Sequence, residues 1–550
     1  MTREAGMVAG AVRGNAGAHA RADADLLARL MLAFRGTTVP AWLRARLAAG
    51  PVAGFTLFRP FNVRSPAQVR RLTSSLQAAA RGRSGAAPGQ DLPLLIAADQ
   101  EGGQLLALGE GFTPFAAPMA IGATGDADLA ERVGRAIGLE LRAVGVNVNY
   151  APVLDLATHP DNPAMGIRSF GDDPAMVAKL ATAWLRGVQS AGVAATGKHF
   201  PGSGGVVVDP HHELGAIERS RRDLDHGELL PFEGAIDSGL RMVMSGHFAV
   251  PALTGDPALP ATLSRRLMRE LLRDELGFEG VSITDALDMQ AIAQGEAQAE
   301  AVVAALEAGV DLLLATADRA SQLRIEAALR TASTARLLDE AELRDAAARV
   351  RALRSWLDGF EDPPISVVGS AQHRALAREL AARSLTLVRD DAGLLPLRVG
   401  SQARIGAVMP APRDLTPADT SSYVEPALAS ALRAHHPSVD EIVTSHPPTA
   451  AEIAAVRDRA ATWDAAVVGT ISARAGSPQA DLVEALRSTG LPMVTVALRT
   501  PWDLAAYPGV DTHVATYSVL PESMDALAAA MSGAAGPPAE AFPGRLPVRT

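Results

Sequence analysis

Residues 92–98 are almost continuously apolar, and at Asp99 the chain turns abruptly acidic. The same change recurs further on. Residues 146–150 lead into Ala151-Pro152-Val153-Leu154-Asp155, 193–197 into Lys198-His199, 242–245 into Gly246-His247, and 280–284 into Asp285. Short apolar runs without polar alternation read as strands buried on both faces, the environment of a parallel sheet. Between them, apolar positions return at helical spacing over 66–80, 130–144, 174–189, 222–238, 264–275 and 299–308. With 52–58 and 311–315 added, seven strands are legible. Residues 26–34 read as a helix by their spacing, and the eighth strand stays unassigned. This alternation predicts a (β/α)8 barrel of the TIM type over a doubly wound sheet.

A charge-laced helix at 337–357 leads out of the barrel, and Asp362-Pro363-Pro364 stops it. A second α/β unit follows. Its helix at 372–384 precedes strands at 385–389, 405–409, 465–470 and 493–498, with helices at 449–461 and 478–489. The expected division is a disordered leader at 1–25, a barrel domain at 26–360 and a second α/β domain at 361–550. Residues 81–90, rich in Gly and Ser, read as a surface connection. Ser472 and Arg474 lie in a loop of the second unit, without a catalytic constellation around them.

Polar residues gather at one end of the strands. In a barrel, the C-terminal strand ends converge on one mouth, so Asp99, Asp155, Lys198, His199, His247 and Asp285 become neighbours there. The stretch 193–213 adds a long loop broken by Pro201 and Gly202, which delivers Asp209, His211, His212 and Glu213 within five residues. An Asp two positions before a His can hold one imidazole nitrogen and present the other as an acid or base. A structural role for Asp209 and His211 stays open at this point. The donor types of His199, His211, His212 and Glu213 also suit zinc, but their spacing matches no compact metal signature, and no metal is expected.

Composition narrows the classes. At 550 residues the chain exceeds one ordinary domain, and 48% hydrophobic with 20% charged residues suits a globular protein with a sizeable core. A formal net charge of −10 argues against nucleic acid and anionic membranes as partners. With no cysteine there is no disulfide framework and no thiolate chemistry. The first 25 residues lack the sustained apolar core of a signal peptide, and no run of about 20 apolar residues suggests a membrane span. A cytoplasmic location is expected. Gly202-Ser203-Gly204-Gly205 is not followed by Gly-Lys-Ser/Thr, so no nucleotide cofactor is expected.

Six blocks, in order over residues 26–360, carry a family resemblance. They are Ala98-Asp99-Gln100-Glu101-Gly102-Gly103, Ala151-Pro152-Val153-Leu154-Asp155, Arg168-Ser169-Phe170-Gly171, Lys198-His199-Phe200-Pro201-Gly202, Asp209-Pro210-His211, and Thr284-Asp285-Ala286-Leu287-Asp288-Met289. On these the chain resembles glycoside hydrolase family 3, in its β-N-acetylglucosaminidase branch. Ala497-Leu498-Arg499-Thr500-Pro501-Trp502-Asp503-Leu504 and Gly544-Arg545-Leu546-Pro547-Val548 resemble that family's C-terminal α/β sandwich domain.

The resemblance implies a retaining hydrolase that needs no cofactor and removes terminal β-linked GlcNAc from small glycans or muropeptides of the cell wall. It implies Asp285 as nucleophile, in place of a helix-capping role, and a dyad of His211 and Asp209 as acid/base, with His212 and Glu213 as runners-up. Substrate binding falls to Asp99, Asp155, Arg168, Lys198, His199 and His247; a satisfied core histidine is the other reading of His247. Three positions depart from the family pattern: Ser203 where His is usual, Pro210 where Ser is usual, and Gln104 where Arg is usual. Two further readings remain: a β-N-acetylglucosaminide phosphorylase, since an imidazole repels incoming phosphate less than a carboxylate does, and a noncatalytic sugar-binding protein. A β-glucosidase is disfavoured by the Lys198-to-His211 loop.

Overall fold

The computed structural model describes residues 26–81, 92–162, 164–208 and 213–549. The leader at 1–25 and nearly all of the 81–90 connection lie outside these described residues, as do Asp209, Pro210, His211 and His212. The chain forms two compact units. One comprises the chain up to Asp99, Gly138–Pro152 and Val188–Ile365; the other comprises Gln100–Ile137, Val153–Gly187 and Ser366–Thr550.

In the first unit, eight strands close into a barrel: β1 (Leu30–Leu32), β2 (Gly54–Thr56), β3 (Leu95–Ala98), β4 (Val148–Asn149), β5 (Ala194–Phe200), β6 (Met242–Ser245), β7 (Val281–Ala286) and β8 (Leu312–Ala315). Each lies parallel to both neighbours in chain order, and β8 returns to β1 with Leu30 opposite Leu313. The (β/α)8 expectation is met, and the unassigned eighth strand is β1. The helical reading of 26–34 is corrected here. Leu30, Met31 and Leu32 are wholly buried, so this segment has no polar face to turn outward, as an amphipathic helix requires. The helix expected over 222–238 is two, Arg221–His226 and Leu230–Asp237, separated at Gly227.

Barrel-lining residues include Met31, Leu95, Ala97, Val148, Met242, Met244, Val281, Ile283, Leu312 and Leu314. Val350, Leu353 and Leu357 of helix Glu340–Asp358 pack into the same cluster. Arg349 of this helix pairs with fully buried Asp311 just before β8, and Arg354 donates to the carbonyls of Leu92 and Pro93 before β3. The helix therefore crosses the N-terminal strand ends, where barrel residues serve stability. Arg273 joins the same carboxylate at 2.7 Å. On β2, a Cβ at Gly54 would sit 1.8 Å from the Leu95 carbonyl oxygen, so only glycine fits there.

In the second unit a six-stranded sheet is built from β9 (Thr386–Asp390), β10 (Ile405–Pro410), β11 (Val439–Thr444), β12 (Ala465–Thr470), β13 (Met493–Ala497) and β14 (Thr512–Ala515). The order is β9-β14-β13-β12-β10-β11, parallel except for β9 against β14. Alternate residues face opposite layers. Val467, Val494, Val496 and Val514 pack with Leu428, Leu432, Met524 and Leu527, whereas Val408, Ala466 and Val468 pack with Val456, Leu482, Val483 and Leu486. Helices thus cover both faces, the α/β sandwich expected from the sequence. Strands β11 and β14 and helices Leu428–Arg433 and Pro521–Met531 are additions to that reading.

Candidate active site

Five of the singled-out residues belong to the first unit, at the C-terminal ends of four strands. Asp99 follows β3, Lys198 and His199 lie near the end of β5, His247 lies two residues beyond β6, and Asp285 is the penultimate residue of β7. Lys198 is buried; Asp99, His199 and Asp285 are half-buried. The Lys198 Nζ lies 2.7 Å from Asp99 Oδ1, and His199 Nε2 lies 4.0 Å from Asp285 Oδ2. Asp285 Oδ1 accepts a hydrogen bond from the Ala286 amide at 2.7 Å. The mouth therefore alternates carboxylate and cationic or imidazole groups, a lining suited to a neutral ligand rich in hydroxyls.

Two buried groups stand behind this lining. Tyr150, on the chain just after β4, shares a hydrogen bond of 3.1 Å with Thr56 of β2. Burial raises its pKa well above the ordinary phenol value, and the negative fields of Asp99 and Asp285 add to the rise. It stays a neutral phenol. His247 contacts Thr262 Oγ1 through Nδ1 at 2.7 Å and the Ala286 carbonyl through Nε2 at 3.2 Å. Burial lowers its pKa, so the ring is neutral near pH 7.

Asp155 and Arg168 belong to the second unit. Asp155 is fully buried, and its carbonyl accepts from Ser169 Oγ at 2.7 Å. Arg168 makes a two-pronged pair with Glu101, both contacts at 2.8 Å, in which both side chains are buried. Gly102 and Gly103 follow with φ of +102° and +61°, and a Cβ on Gly103 would meet Ala117 Cβ at 2.4 Å, so the double glycine lets the chain turn directly after Glu101. Gln104 accepts from the Ile167 amide at 3.3 Å through Oε1, and its own carbonyl accepts from the Thr420 amide at 2.7 Å. Where the family pattern has a guanidinium, this chain has a neutral amide that ties two backbone segments together, accepting from Ile167 and donating through Nε2 to the Ala418 carbonyl at 3.4 Å.

Asp209 and His211 lie outside the described residues, and Glu213 is exposed. Glu101 and Thr262, partners of Arg168 and His247, and Tyr150 behind the mouth are not among the candidates that the sequence marks. Glu101 was visible inside a quoted block, whereas Thr262, in Pro260-Ala261-Thr262-Leu263-Ser264, has nothing around it to mark it.

Residues 32–353 match the model of the glycosyl hydrolase family 3 N-terminal domain. The chain belongs to glycosyl hydrolase family 3. Family relatives include Beta-hexosaminidase A of Pseudoalteromonas piscicida, 33% identical over 511 residues, covering 86% of this chain and 83% of the relative. A Beta-hexosaminidase of Alkalilimnicola ehrlichii is 39% identical over 295 residues, covering 52% of this chain and 80% of that protein. Among solved structures, the family 3 beta-N-acetylglucosaminidase from Paenibacillus sp. str. FPU-7 superposes with a TM-score of 0.88 at 34% identity, covering 96% of this chain and 98% of that one. Among the described residues, no helix is long and apolar enough to cross a membrane.

Proposed function

We propose that this chain is a retaining exo-β-N-acetylglucosaminidase that releases terminal β-linked GlcNAc from small cell-wall-derived glycans. The observation that carries the reading is Asp285, half-buried at the end of β7, with one carboxylate oxygen held by the Ala286 amide and the other 4.0 Å from His199. A carboxylate fixed in this way can attack an anomeric carbon without reorganising. The relatives' names, beta-hexosaminidase and beta-N-acetylglucosaminidase, support an N-acetylhexosaminide as the substrate class.

In this mechanism Asp285 displaces the aglycone and forms a covalent glycosyl-enzyme while His211 donates a proton to the departing oxygen. His211 then removes a proton from water, which attacks the same carbon and restores the β configuration. Asp209 holds the imidazole in the required tautomer and stabilises its charged form. Asp99, Lys198 and His199 orient the sugar through charge-assisted hydrogen bonds to hydroxyls, and Asp155 and Arg168 keep the substrate-binding role that the family resemblance implies.

The imidazole acid/base also favours a second reading, phosphorolysis, because it presents no fixed negative charge to an incoming phosphate. Turnover of p-nitrophenyl N-acetyl-β-glucosaminide with and without phosphate separates the two, with the anomer read by NMR. Free β-GlcNAc at a rate independent of phosphate supports the hydrolase, and GlcNAc 1-phosphate replaces it with the phosphorylase. Absence of any product removes both. The nucleophile is tested by Asp285→Gly, which should be inactive and should form a glycosyl azide when azide is supplied; full activity in this variant would sink the assignment.

A further inference from the structure

We infer that His247 is a positioning residue for the nucleophile: with Thr262 behind it, it supplies a hydrogen bond that fixes the Asp285–Ala286 backbone where the pairing of β7 with β6 ends. This rests on the proposed role of Asp285.

The pairing between β6 and β7 ends at Thr284 opposite Ser245, one residue short of Asp285. On the other side, β7 meets β8 with an irregularity between Ile283 and Ala286. The backbone that carries the carboxylate therefore lies beyond the β6 pairing and within the irregularity on the β8 side, where pairing resumes at Ala286 opposite Leu314. Two residues beyond Ser245, the His247 ring reaches across and meets the Ala286 carbonyl through Nε2 at 3.2 Å. The amide of the same Ala286 donates to Asp285 Oδ1 at 2.7 Å. One residue is thus held at its carbonyl by the imidazole and holds the carboxylate with its amide.

A carbonyl only accepts, so Nε2 must carry the proton, and Nδ1 must then accept. Thr262 Oγ1 carries one proton and has two acceptors within reach, Nδ1 at 2.7 Å and the Gly246 carbonyl at 3.0 Å, and the shorter contact is the one to Nδ1. Ser245 Oγ lies 2.9 Å from the same hydroxyl and can donate to it in turn. The Ala286 carbonyl selects the Nε2–H tautomer of this buried neutral ring, and Thr262, itself in contact with Ser245, is the partner of Nδ1. Both ring nitrogens are engaged within the protein, which points away from the sugar contact that the sequence suggested.

The test uses the full chain with p-nitrophenyl N-acetyl-β-glucosaminide and compares the wild type with His247→Ala, His247→Gln, Thr262→Val and Thr262→Ser. His247→Ala should lower kcat by about 100-fold, the scale of a small misplacement of a reacting group, with KM unchanged. Thr262→Val should lower kcat by about 10-fold, the loss of one hydrogen bond. Thr262→Ser should retain the wild-type kcat, and His247→Gln, whose amide nitrogen can replace the Nε2 donor, should recover much of the loss. With Asp285 and His199 facing it, the ring still takes no part in proton transfer, so the pH profile keeps its shape at a lower plateau. A raised KM at unchanged kcat in His247→Ala would restore the sugar-binding reading and overturn this one. Unchanged kcat in Thr262→Val would also overturn it, and that variant answers even where His247→Ala fails to fold. A wild type without turnover would instead refute the proposed hydrolase.

Discussion

Lys198 Nζ and Asp99 Oδ1, 2.7 Å apart, join the ends of two non-adjacent barrel strands across the mouth. The ammonium end is the hidden one: the Lys198 side chain is 2% exposed against 22% for Asp99. A buried cation depends on its anionic partner far more than a partly solvated carboxylate depends on the cation. The pair therefore acts as one unit in which the lysine fixes the aspartate from behind.

Removing either member should have unequal consequences. Asp99→Asn takes the carboxylate charge from a buried ammonium and should cost about 1–3 kcal/mol of stability, less than a fully buried pair because the carboxylate is partly exposed. Lys198→Met preserves volume and should cost less stability. In both, loss of a charge-assisted contact should lower kcat/KM by about 10–100-fold. Thermal unfolding beside kinetics on p-nitrophenyl N-acetyl-β-glucosaminide reads both quantities; a larger loss of stability in Lys198→Met would refute the asymmetry.

Glu101 should prove as critical as Arg168. Its carboxylate grips the guanidinium with two bonds of 2.8 Å, and the two side chains are 1% and 4% exposed. Glu101→Ala leaves a buried guanidinium short of its charge partner, a loss of about 3–5 kcal/mol. Pairing Glu101→Met with Arg168→Met should restore part of that stability while leaving turnover low. A double variant less stable than Glu101→Ala, read by urea unfolding, would show that other contacts dominate.

Gly54→Ala tests the barrel closure between β2 and β3. The new methyl would lie 1.8 Å from the Leu95 oxygen and 2.8 Å from Leu95 Cβ, and the first of these is backbone that cannot swing aside. The strands must separate, so little folded protein should be recovered, whereas Gly255→Ala, with nothing within 4 Å of the added carbon but a φ of +73°, should fold with a loss of about 1 kcal/mol. Soluble yield and circular dichroism decide it; a well-folded Gly54→Ala would mean that β2 has room to shift.

What the sequence made legible follows from where chemistry interrupts hydrophobic runs. Asp99, Lys198, His247 and Asp285 stand out because each breaks an apolar strand at the same end. β1 was missed because Leu30-Met31-Leu32 is short and sits in an apolar segment whose spacing also suits a helix. β11 was missed for the opposite reason: Asp440 and Glu441 interrupt a half-exposed edge strand with no apolar run to see. Thr262 was invisible because its role depends on a contact across the barrel end, and hydroxyl residues in a Pro-rich connection carry no periodicity. The Glu101–Arg168 pair spans 67 positions, and no local pattern links them.

The second unit should carry an opposed pair of pH dependences. Asp503 is fully buried; Thr470 donates to its Oδ2 at 2.6 Å, yet burial pushes its carboxyl up to about 7. The unfolded value is about 3.9. Between these values the folded state holds more protons than the unfolded one, so stability falls as pH rises from about 4 to 7 and is level above. His513, buried beside Thr495 and repelled by Arg389, is lowered to about 3 from an unfolded value of about 6.5. Here the unfolded state holds more protons, so stability falls as pH drops from about 6.5 to 3. Asp503→Asn cannot ionise and should lose the first slope: its Tm deficit relative to wild type should be larger at pH 5 than at pH 8. His513→Gln should lose the second, with a deficit larger at pH 7 than at pH 4. Thermal unfolding across that range checks both, and a Tm difference independent of pH in either variant would show that the buried group does not titrate as its surroundings require.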